Sequence, residues 1–174
     1  MSTMAIPTMP TSMKADFGKA RKAALSLLER SGIIEPPIDP VVIAENLGVK
    51  VYFVEFKGQS DETISGFYDC EENVIMVNKN EFAPRQTFTV AHELGHKVLH
   101  EEWARSDNYK VLLRDPSLRE SNPIEQEANF FAANLLMPKR LMDEYYQLPV
   151  DQISSLFAVS IPAVRERLQS LYGI

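Results

Sequence analysis

Three histidines lie at intervals of one helical turn in a single short stretch of the chain: His92, His96 and His100. The first two flank Glu93 in an H-E-x-x-H pattern, and residues four apart lie on the same face of a helix. Two imidazoles on one face can bind one metal ion, while the carboxylate between them reaches a water molecule on that ion. The pattern therefore predicts a hydrolytic zinc site with His92 and His96 as ligands and Glu93 as the catalytic general base.

The residues around this pattern favour a helix over residues 84–101. Apolar and small side chains recur there at helical spacing and predict one buried side: Phe88, Ala91, Gly95, Val98 and Leu99. A glycine inside a helix costs about 1 kcal/mol relative to alanine, so Gly95 is expected to have a packing or access reason. A lone histidine would be interpreted as an ordinary core or surface residue, whereas this context favours metal binding.

Two histidines leave a catalytic zinc site incomplete, because such a site normally takes three protein ligands and keeps one position for water. His100 is eight residues from His92. Its Cα therefore lies roughly 12 Å farther along the helix axis, too far for both to bind one ion. We expect His100 to support a ligand or the helix end instead. Glu102 has the spacing of the third ligand in H-E-x-x-H-x-x-G-x-x-H sites, but Leu99 stands in place of the glycine that makes the turn.

The remaining candidates for the third ligand are Glu125 and Glu127, in a helix predicted over residues 124–137. Glu125 and Asn129 are four residues apart and share a face, so Asn129 is placed to hydrogen-bond a ligand imidazole. Glu127 points to a different side, and the two carboxylates are not expected to serve together. We favour Glu125 as the ligand, with Glu127 as its competitor. The alternative role of Glu125 is helix capping, and that of Glu127 is a solvated surface charge.

The composition is that of a globular protein without a strongly basic surface. The chain has 174 residues, of which 45% are hydrophobic and 24% charged, and its net charge is -6. This acidic balance argues against binding of nucleic acid through a basic face. The single cysteine, Cys70, excludes an internal disulfide and suits a reducing cytoplasm. Since the sequence has no apolar run of transmembrane length and no secretory signal, we expect a cytoplasmic protein without membrane contact.

The order of the predicted elements indicates an α+β fold, in which helices pack on a short antiparallel sheet. Residues 1–13 are expected to form a flexible lead, and a first helix follows over residues 15–31. Strands are predicted over residues 49–54, 64–68 and 73–78, the last two as a hairpin.

Two segments beside the predicted metal-binding helix have possible functional roles. Residues 73–78 are the candidate edge strand for aligning a substrate by backbone pairing, or else part of a plain structural hairpin. Residues 103–122 lack periodicity and are predicted to form a long loop, of the kind that is often functional or mobile. Tyr109 in this loop is a candidate for stabilising an oxyanion.

Residues 139–174 are predicted to form a helical C-terminal segment that follows a metal-binding domain over residues 14–138. Helices are expected over residues 140–147, 150–157 and 162–171, and the last two have a sequence pattern that resembles a helix-turn-helix. DNA binding by the last helix is one interpretation, and packing on the rest of the chain or on a protein partner is the other. Because the chain is acidic, we favour packing and do not expect direct nucleic-acid binding.

Two motifs together resemble the ImmA/IrrE-type metallopeptidases. They are H-E-L-G-H-K-V-L-H at residues 92–100 and E-Q-E-A-N-F-F-A-A-N-L-L-M-P at residues 125–138. The resemblance covers residues 42–138 and implies that the domain over residues 14–138 is a small zincin-like zinc metallopeptidase with a gluzincin-like His-His-Glu site. Carried over by position, it implies zinc ligation by His92, His96 and Glu125, with Glu93 as the base.

Members of this family are thought to cut helix-turn-helix transcriptional repressors inside bacterial cells, which relieves repression. The resemblance thus implies a zinc-dependent endopeptidase whose protein substrate is such a repressor. The competing hypothesis is a non-catalytic, zinc-stabilised partner- or DNA-binding module of a phage or toxin–antitoxin locus. Glu93 argues against that hypothesis, because a structural metal site has no use for a general base and favours four ligands with thiolates.

Overall fold

Nine helices and three strands form the part of the chain that the computed structural model describes, which is residues 14–57, 64–114 and 116–174. The helices are α1 (Phe17–Ser31), α2 (Pro40–Asn46), α3 (Ala83–Leu99), α4 (Glu101–Ala104), α5 (Asp107–Arg114), α6 (Pro123–Leu136), α7 (Lys139–Tyr145), α8 (Val150–Phe157) and α9 (Ile161–Tyr172). The strands are β1 (Lys50–Val54), β2 (Gly66–Asp69) and β3 (Val74–Asn78). The α+β class is confirmed, while the predicted lead over residues 1–13 lies outside the described residues. None of the described helices is long and apolar enough to cross a membrane.

The sheet has the strand order β1-β3-β2 and is mixed, so the expectation of an antiparallel sheet holds only for its hairpin. β2 and β3 form the predicted antiparallel hairpin, with Gly66 opposite Val77. β1 is parallel to β3, with Lys50 opposite Val74. The reason is the long connection between β1 and β2, which lets β1 lie on the far side of β3 instead of pairing with its neighbour in sequence.

β3 is the central strand, so the prediction that residues 73–78 form an exposed edge is wrong. Its two sides are paired with β1 and β2, which are themselves the edges. β2 is the edge that lies against α3. A Cβ atom added to Gly66 would be only 2.6 Å from Cγ2 of Thr89, so β2 and α3 approach closely here. The strand edge beside the H-E-x-x-H helix is therefore β2.

The contact between α3 and α6 brings the two sequence motifs together. A Cβ atom added to Gly95 would lie 3.0 Å from Phe131 Cδ1 and 3.3 Å from the Cα of Ala128, tighter than ordinary packing contacts. This close approach is the packing reason that was expected for Gly95. The start of α6 is also as predicted, because the side chain of Asn122 accepts the N–H of Ile124 and caps the helix. The first turns of α6 therefore lie over the H-E-x-x-H face.

The long loop predicted over residues 103–122 is wrong for most of its length, because α4, α5 and a 3-10 turn at Pro116–Leu118 lie there. The apolar pattern failed to reveal these helices since they are short; α4 has only four residues. The side chains of Trp103 and Tyr109 in this segment contact α3, at His96 and Glu93 respectively. Tyr109 is buried, and its ring lies 5.1 Å from that of Trp103. This segment therefore places a phenol beside the predicted active-site helix.

The last helix, α9, packs against the end of α6 through Arg167. The Arg167 Nε donates to the backbone oxygen of Met137 and its Nη2 donates to Oδ1 of Asn134, both over 2.9 Å. Desolvation lowers the pKa of Arg167 to about 10, so the guanidinium remains charged at neutral pH. A cation at the C-terminal end of a helix interacts favourably with the helix dipole. The C-terminal segment thus packs on the rest of the chain, which is the arrangement favoured from the acidic composition.

Candidate metal centre

His92, His96 and Glu125 place their donor atoms within 4.8 Å of one another. The Nε2 atoms of the two histidines are 3.1 Å apart. Glu125 Oε2 is 3.3 Å from His92 Nε2, and Glu125 Oε1 is 3.1 Å from His96 Nε2. Atoms that bind one zinc ion tetrahedrally at ~2.0–2.1 Å lie ~3.3 Å from each other. The spacing and chemistry of these three donors therefore fit such an ion.

Hydrogen bonds orient both imidazoles so that their Nε2 atoms face the position between the three donors, where an ion would bind. His92 Nδ1 is 2.8 Å from Oδ1 of Asn129, an acceptor, which assigns the proton of a neutral His92 to Nδ1. His96 Nδ1 is 3.2 Å from Nδ1 of His100. The structure thus places Asn129 and His100 against the two imidazoles that they were expected to support. Each ligand candidate can present an unprotonated Nε2 to a metal.

The electrostatics of the site favour a bound cation. Burial disfavours ionisation of Glu125, but its hydrogen bonds and charge interactions with His92 and His96 outweigh this and hold the pKa of its carboxyl well below the usual range. Burial also lowers the pKa of His92, but the Glu125 hydrogen bond and the charge of Glu93 more than compensate, so the pKa of His92 is raised. The carboxylates of Glu125 and Glu93, which favour the protonated form of His92, also favour a metal ion bound between the three donors.

The carboxylate of Glu93 is buried and is held by Tyr109. The Tyr109 hydroxyl donates to Glu93 Oε2 over 3.0 Å and accepts the backbone N–H of Tyr68 in β2 over 2.7 Å. Burial and the charge of Glu93 raise the pKa of the Tyr109 phenol well above its usual range, so it remains protonated and able to donate. Tyr109 was considered for oxyanion stabilisation; in this structure its hydroxyl contacts the predicted base and the strand edge.

Glu127 lies outside the group of three donors, and the alternative that it is a solvated surface charge is wrong. It is buried, with Oε2 2.7 Å from His100 Nε2 and Oε1 accepting the N–H of Asp16 over 2.6 Å. Glu102, the other candidate considered, is exposed. Sequence analysis missed the contact between Glu127 and His100. The available signals were a third histidine one turn beyond His96 and a second acid close to the favoured ligand.

Comparisons with known proteins match most of the chain. Residues 44–169 match the sequence model of the IrrE N-terminal-like domain. The radiation response metalloprotease IrrE of Deinococcus deserti is 34% identical over 137 residues, which cover 78% of this chain and 44% of that protein. The metallopeptidase ImmA of Bacillus subtilis is 30% identical over 96 residues, which cover 53% of this chain and 54% of ImmA. The uncharacterized immunity region protein 2 of Bacillus phage phi105 is 32% identical over 112 residues, with coverages of 62% and 66%.

This chain therefore spans about half the length of the curated relatives IrrE and ImmA. A similar solved structure is that of a Mycobacterium tuberculosis transcriptional regulator, with a TM-score of 0.65 and 20% sequence identity. The similarity covers 89% of this chain and 47% of the regulator. At 20% identity this similarity shows a common fold and nothing about function.

Proposed function

This chain belongs to the ImmA/IrrE-type metallopeptidase family, and on that basis we propose that it is a zinc-dependent endopeptidase. The observation that carries the proposal is the convergence of His92, His96 and Glu125, next to Glu93 on the same helix as the histidines. Two imidazoles and one carboxylate are the protein ligands of His-His-Glu catalytic zinc sites, which keep another position for water. Only one cysteine is present, whereas structural zinc sites are commonly built from several thiolates.

In the proposed mechanism, His92, His96 and Glu125 would hold the zinc ion, which would supply a water of lowered pKa and polarise the scissile carbonyl. Glu93 accepts the proton of that water and delivers it to the leaving amine. The Tyr109 hydroxyl donates a hydrogen bond to Glu93 Oε2, which leaves Glu93 Oε1 as the oxygen that accepts the proton of the water. Asn129 and His100 keep the ligand imidazoles in the orientation that presents Nε2.

The strand β2 is the proposed guide for the substrate main chain. It is the edge strand that packs against α3, and an extended peptide can add to such an edge by backbone hydrogen bonds. The N–H of Tyr68 in β2 is accepted by the Tyr109 hydroxyl. A peptide that pairs with this N–H therefore replaces Tyr109 there.

The proposed substrate is a helix-turn-helix transcriptional repressor, cut in the bacterial cytoplasm. Family resemblance supports this substrate class. One relative, moreover, is named as a protein of a phage immunity region. Direct binding of DNA or of a membrane is not part of the proposal.

The test is a cleavage assay with the zinc-loaded protein and the repressor encoded nearest to it. Mass spectrometry would identify new termini, and Glu93→Gln would be assayed in parallel. We expect cleavage that requires zinc, and we expect Glu93→Gln to retain zinc but lose cleavage, because an amide cannot accept the water proton.

The outcomes separate the parts of the proposal. Normal cleavage by Glu93→Gln would contradict the assignment of the base. One zinc per chain without cleavage of the repressor would contradict that substrate and favour a non-catalytic binding module. Absence of bound zinc after loading would contradict the metal site itself.

A further inference from the structure

A buried series of hydrogen bonds runs from His96 to the start of α1. His96 Nδ1 is 3.2 Å from His100 Nδ1, and His100 Nε2 is 2.7 Å from Glu127 Oε2. The other oxygen, Glu127 Oε1, accepts the backbone N–H of Asp16, the N-cap residue of α1, over 2.6 Å. His96, His100 and Glu127 are all buried. The series therefore connects His96, a proposed metal ligand, to the carboxylate of Glu127, which is not one of the three donors of the proposed site.

The donors and acceptors of this series have one consistent order. The carboxylate of Glu127 accepts, so His100 carries its proton on Nε2. A neutral His100 then has an acceptor at Nδ1, which receives the Nδ1–H of His96. His96 is left with its lone pair on Nε2, the atom that faces His92 and Glu125. The position of one buried carboxylate thus determines which nitrogen of His96 can bind a metal.

We propose that Glu127 is a positioning residue that sets the tautomer and ring orientation of His96 through His100. This inference rests on the proposed metal site. A carboxylate hydrogen-bonded to a ligand imidazole is known to fix the ring and raise its basicity. Here the carboxylate acts one imidazole farther away, because His100 stands between Glu127 and His96.

The burial of Glu127 is consistent with this role. Burying a carboxylate is costly unless both oxygens are hydrogen-bonded, and charge-assisted bonds are stronger than neutral ones. Both oxygens of Glu127 have such a partner, one an imidazole and the other a backbone N–H. The ring of Trp103 lies 5.5 Å from that of His96 and packs beside the series. By contrast, His92 is supported by the single neutral amide of the exposed Asn129.

The inference is tested on zinc affinity, which is independent of any substrate. The zinc dissociation constant would be measured by competition with a chromophoric chelator, for Glu127→Leu, Glu127→Gln, His100→Leu and the double variant Glu127→Leu/His100→Leu. The exposed Glu102→Gln is the charge-matched control. The visible spectrum of the cobalt-loaded protein would report the geometry of the site, and circular dichroism would report folding without metal.

We expect Glu127→Leu and His100→Leu each to weaken zinc binding by about 10- to 100-fold. The double variant should be no weaker than His100→Leu, because Glu127 acts only through His100. Glu127→Gln should lie between Glu127→Leu and the unchanged protein, since its amide oxygen can accept only part of the original bonds. His100→Gln, which keeps an acceptor and a donor, should retain part of the zinc affinity that His100→Leu loses.

A purely structural role would give a different result. If Glu127→Leu lowered the unfolding temperature of the metal-free protein but left the zinc dissociation constant and the cobalt spectrum equal to those of Glu102→Gln, the inference would be overturned and the proposed function would stand. Additive losses in the double variant would also overturn it. If Glu127→Leu does not fold, Glu127→Gln and His100→Leu decide by the same criteria. If the unchanged protein binds no zinc, both the inference and the proposed function fail.

Discussion

The hydroxyl of Tyr109 is the residue-scale feature that connects the predicted base to the sheet. It donates to Glu93 and accepts from the Tyr68 backbone, so both of its hydrogen-bonding functions are used in a buried position. Buried polar groups that lose a partner cost more than an ordinary hydrogen bond contributes. One oxygen atom therefore stabilises both the carboxylate of Glu93 and a backbone donor at the strand edge.

Tyr109→Phe removes only this oxygen and keeps the ring that packs on Trp103. We expect the free energy of unfolding to fall by about 1–3 kcal/mol, because the N–H of Tyr68 and the Glu93 carboxylate lose their partner. Urea denaturation would measure it. Tyr52→Phe on the exposed face of β1 is the matched control and should change stability by no more than about 0.5 kcal/mol. Equal stabilities for the two variants would contradict this role of Tyr109.

At the scale of the elements, the site depends on how closely α6 can approach α3. Gly95 makes room for Phe131 and the backbone of Ala128. The same crossing places Glu125 beside the histidines of α3. The cost of a glycine within a helix is thus offset by a close helix contact that a larger residue would crowd.

Gly95→Ala is expected to destabilise the protein by about 1–3 kcal/mol, because the added methyl group overpacks the crossing. Zinc binding should weaken as well, since α6 carries Glu125. Chemical denaturation and the zinc dissociation constant would measure the two effects. Gly18→Ala is the control, as Gly18 is an exposed helical glycine of α1 whose added Cβ meets only Asp16, at 3.4 Å. Stabilisation by Gly95→Ala, as expected for Gly18→Ala, would contradict the close crossing.

On the scale of the whole molecule, long-range connections hold separate parts of the chain on α6. The proposed metal site joins α3 to the first turn of α6. Arg167 joins α9 to Asn134 and Met137 at the C-terminal end of α6. The family match extends to residue 169 and so includes most of α9. The division into domains over residues 14–138 and 139–174 stays a prediction.

Arg167→Met removes both hydrogen bonds to the end of α6 while keeping an unbranched side chain. We expect a loss of about 1–3 kcal/mol in the free energy of unfolding, because buried acceptors on Met137 and Asn134 lose their donor. The neighbouring Arg165→Met, at an exposed position of the same helix, should be nearly neutral. Thermal and urea unfolding would compare them. A neutral Arg167→Met would show that α9 is held in place by its apolar contacts instead.

Metal removal should lower the stability of the whole molecule, because a ligand that binds only the folded state stabilises it by mass action. At a free zinc concentration 100 times the dissociation constant, this stabilisation is about 2.7 kcal/mol. The unfolding temperature of zinc-loaded protein should therefore fall when a chelator is added. Glu125→Ala should be insensitive to the chelator, and an equal shift in that variant would contradict Glu125 as a ligand.

The sequence by itself determined the local parts of this protein. The spacing of His92 and His96 specifies a shared helical face with Glu93 beside it, since that geometry depends only on residues within two turns. Helix capping at Asn122 and the hairpin of β2 and β3 are equally local, and the structure confirms them. The α+β class follows from the order of such elements along the chain.

Tertiary structure decided what depends on contacts between distant segments. The crossing at Gly95 determines that Glu125 faces the histidines while Glu127 meets His100. Pairing of β1 with β3, which no turn residue specifies, makes β3 the central strand and β2 the edge beside α3. The short helices around Tyr109 have too few residues to show a pattern, and their packing on α3 places its hydroxyl at the predicted base. The periodicity of the sequence indicates which face of an element is buried. Only the tertiary packing decides which other element covers that face.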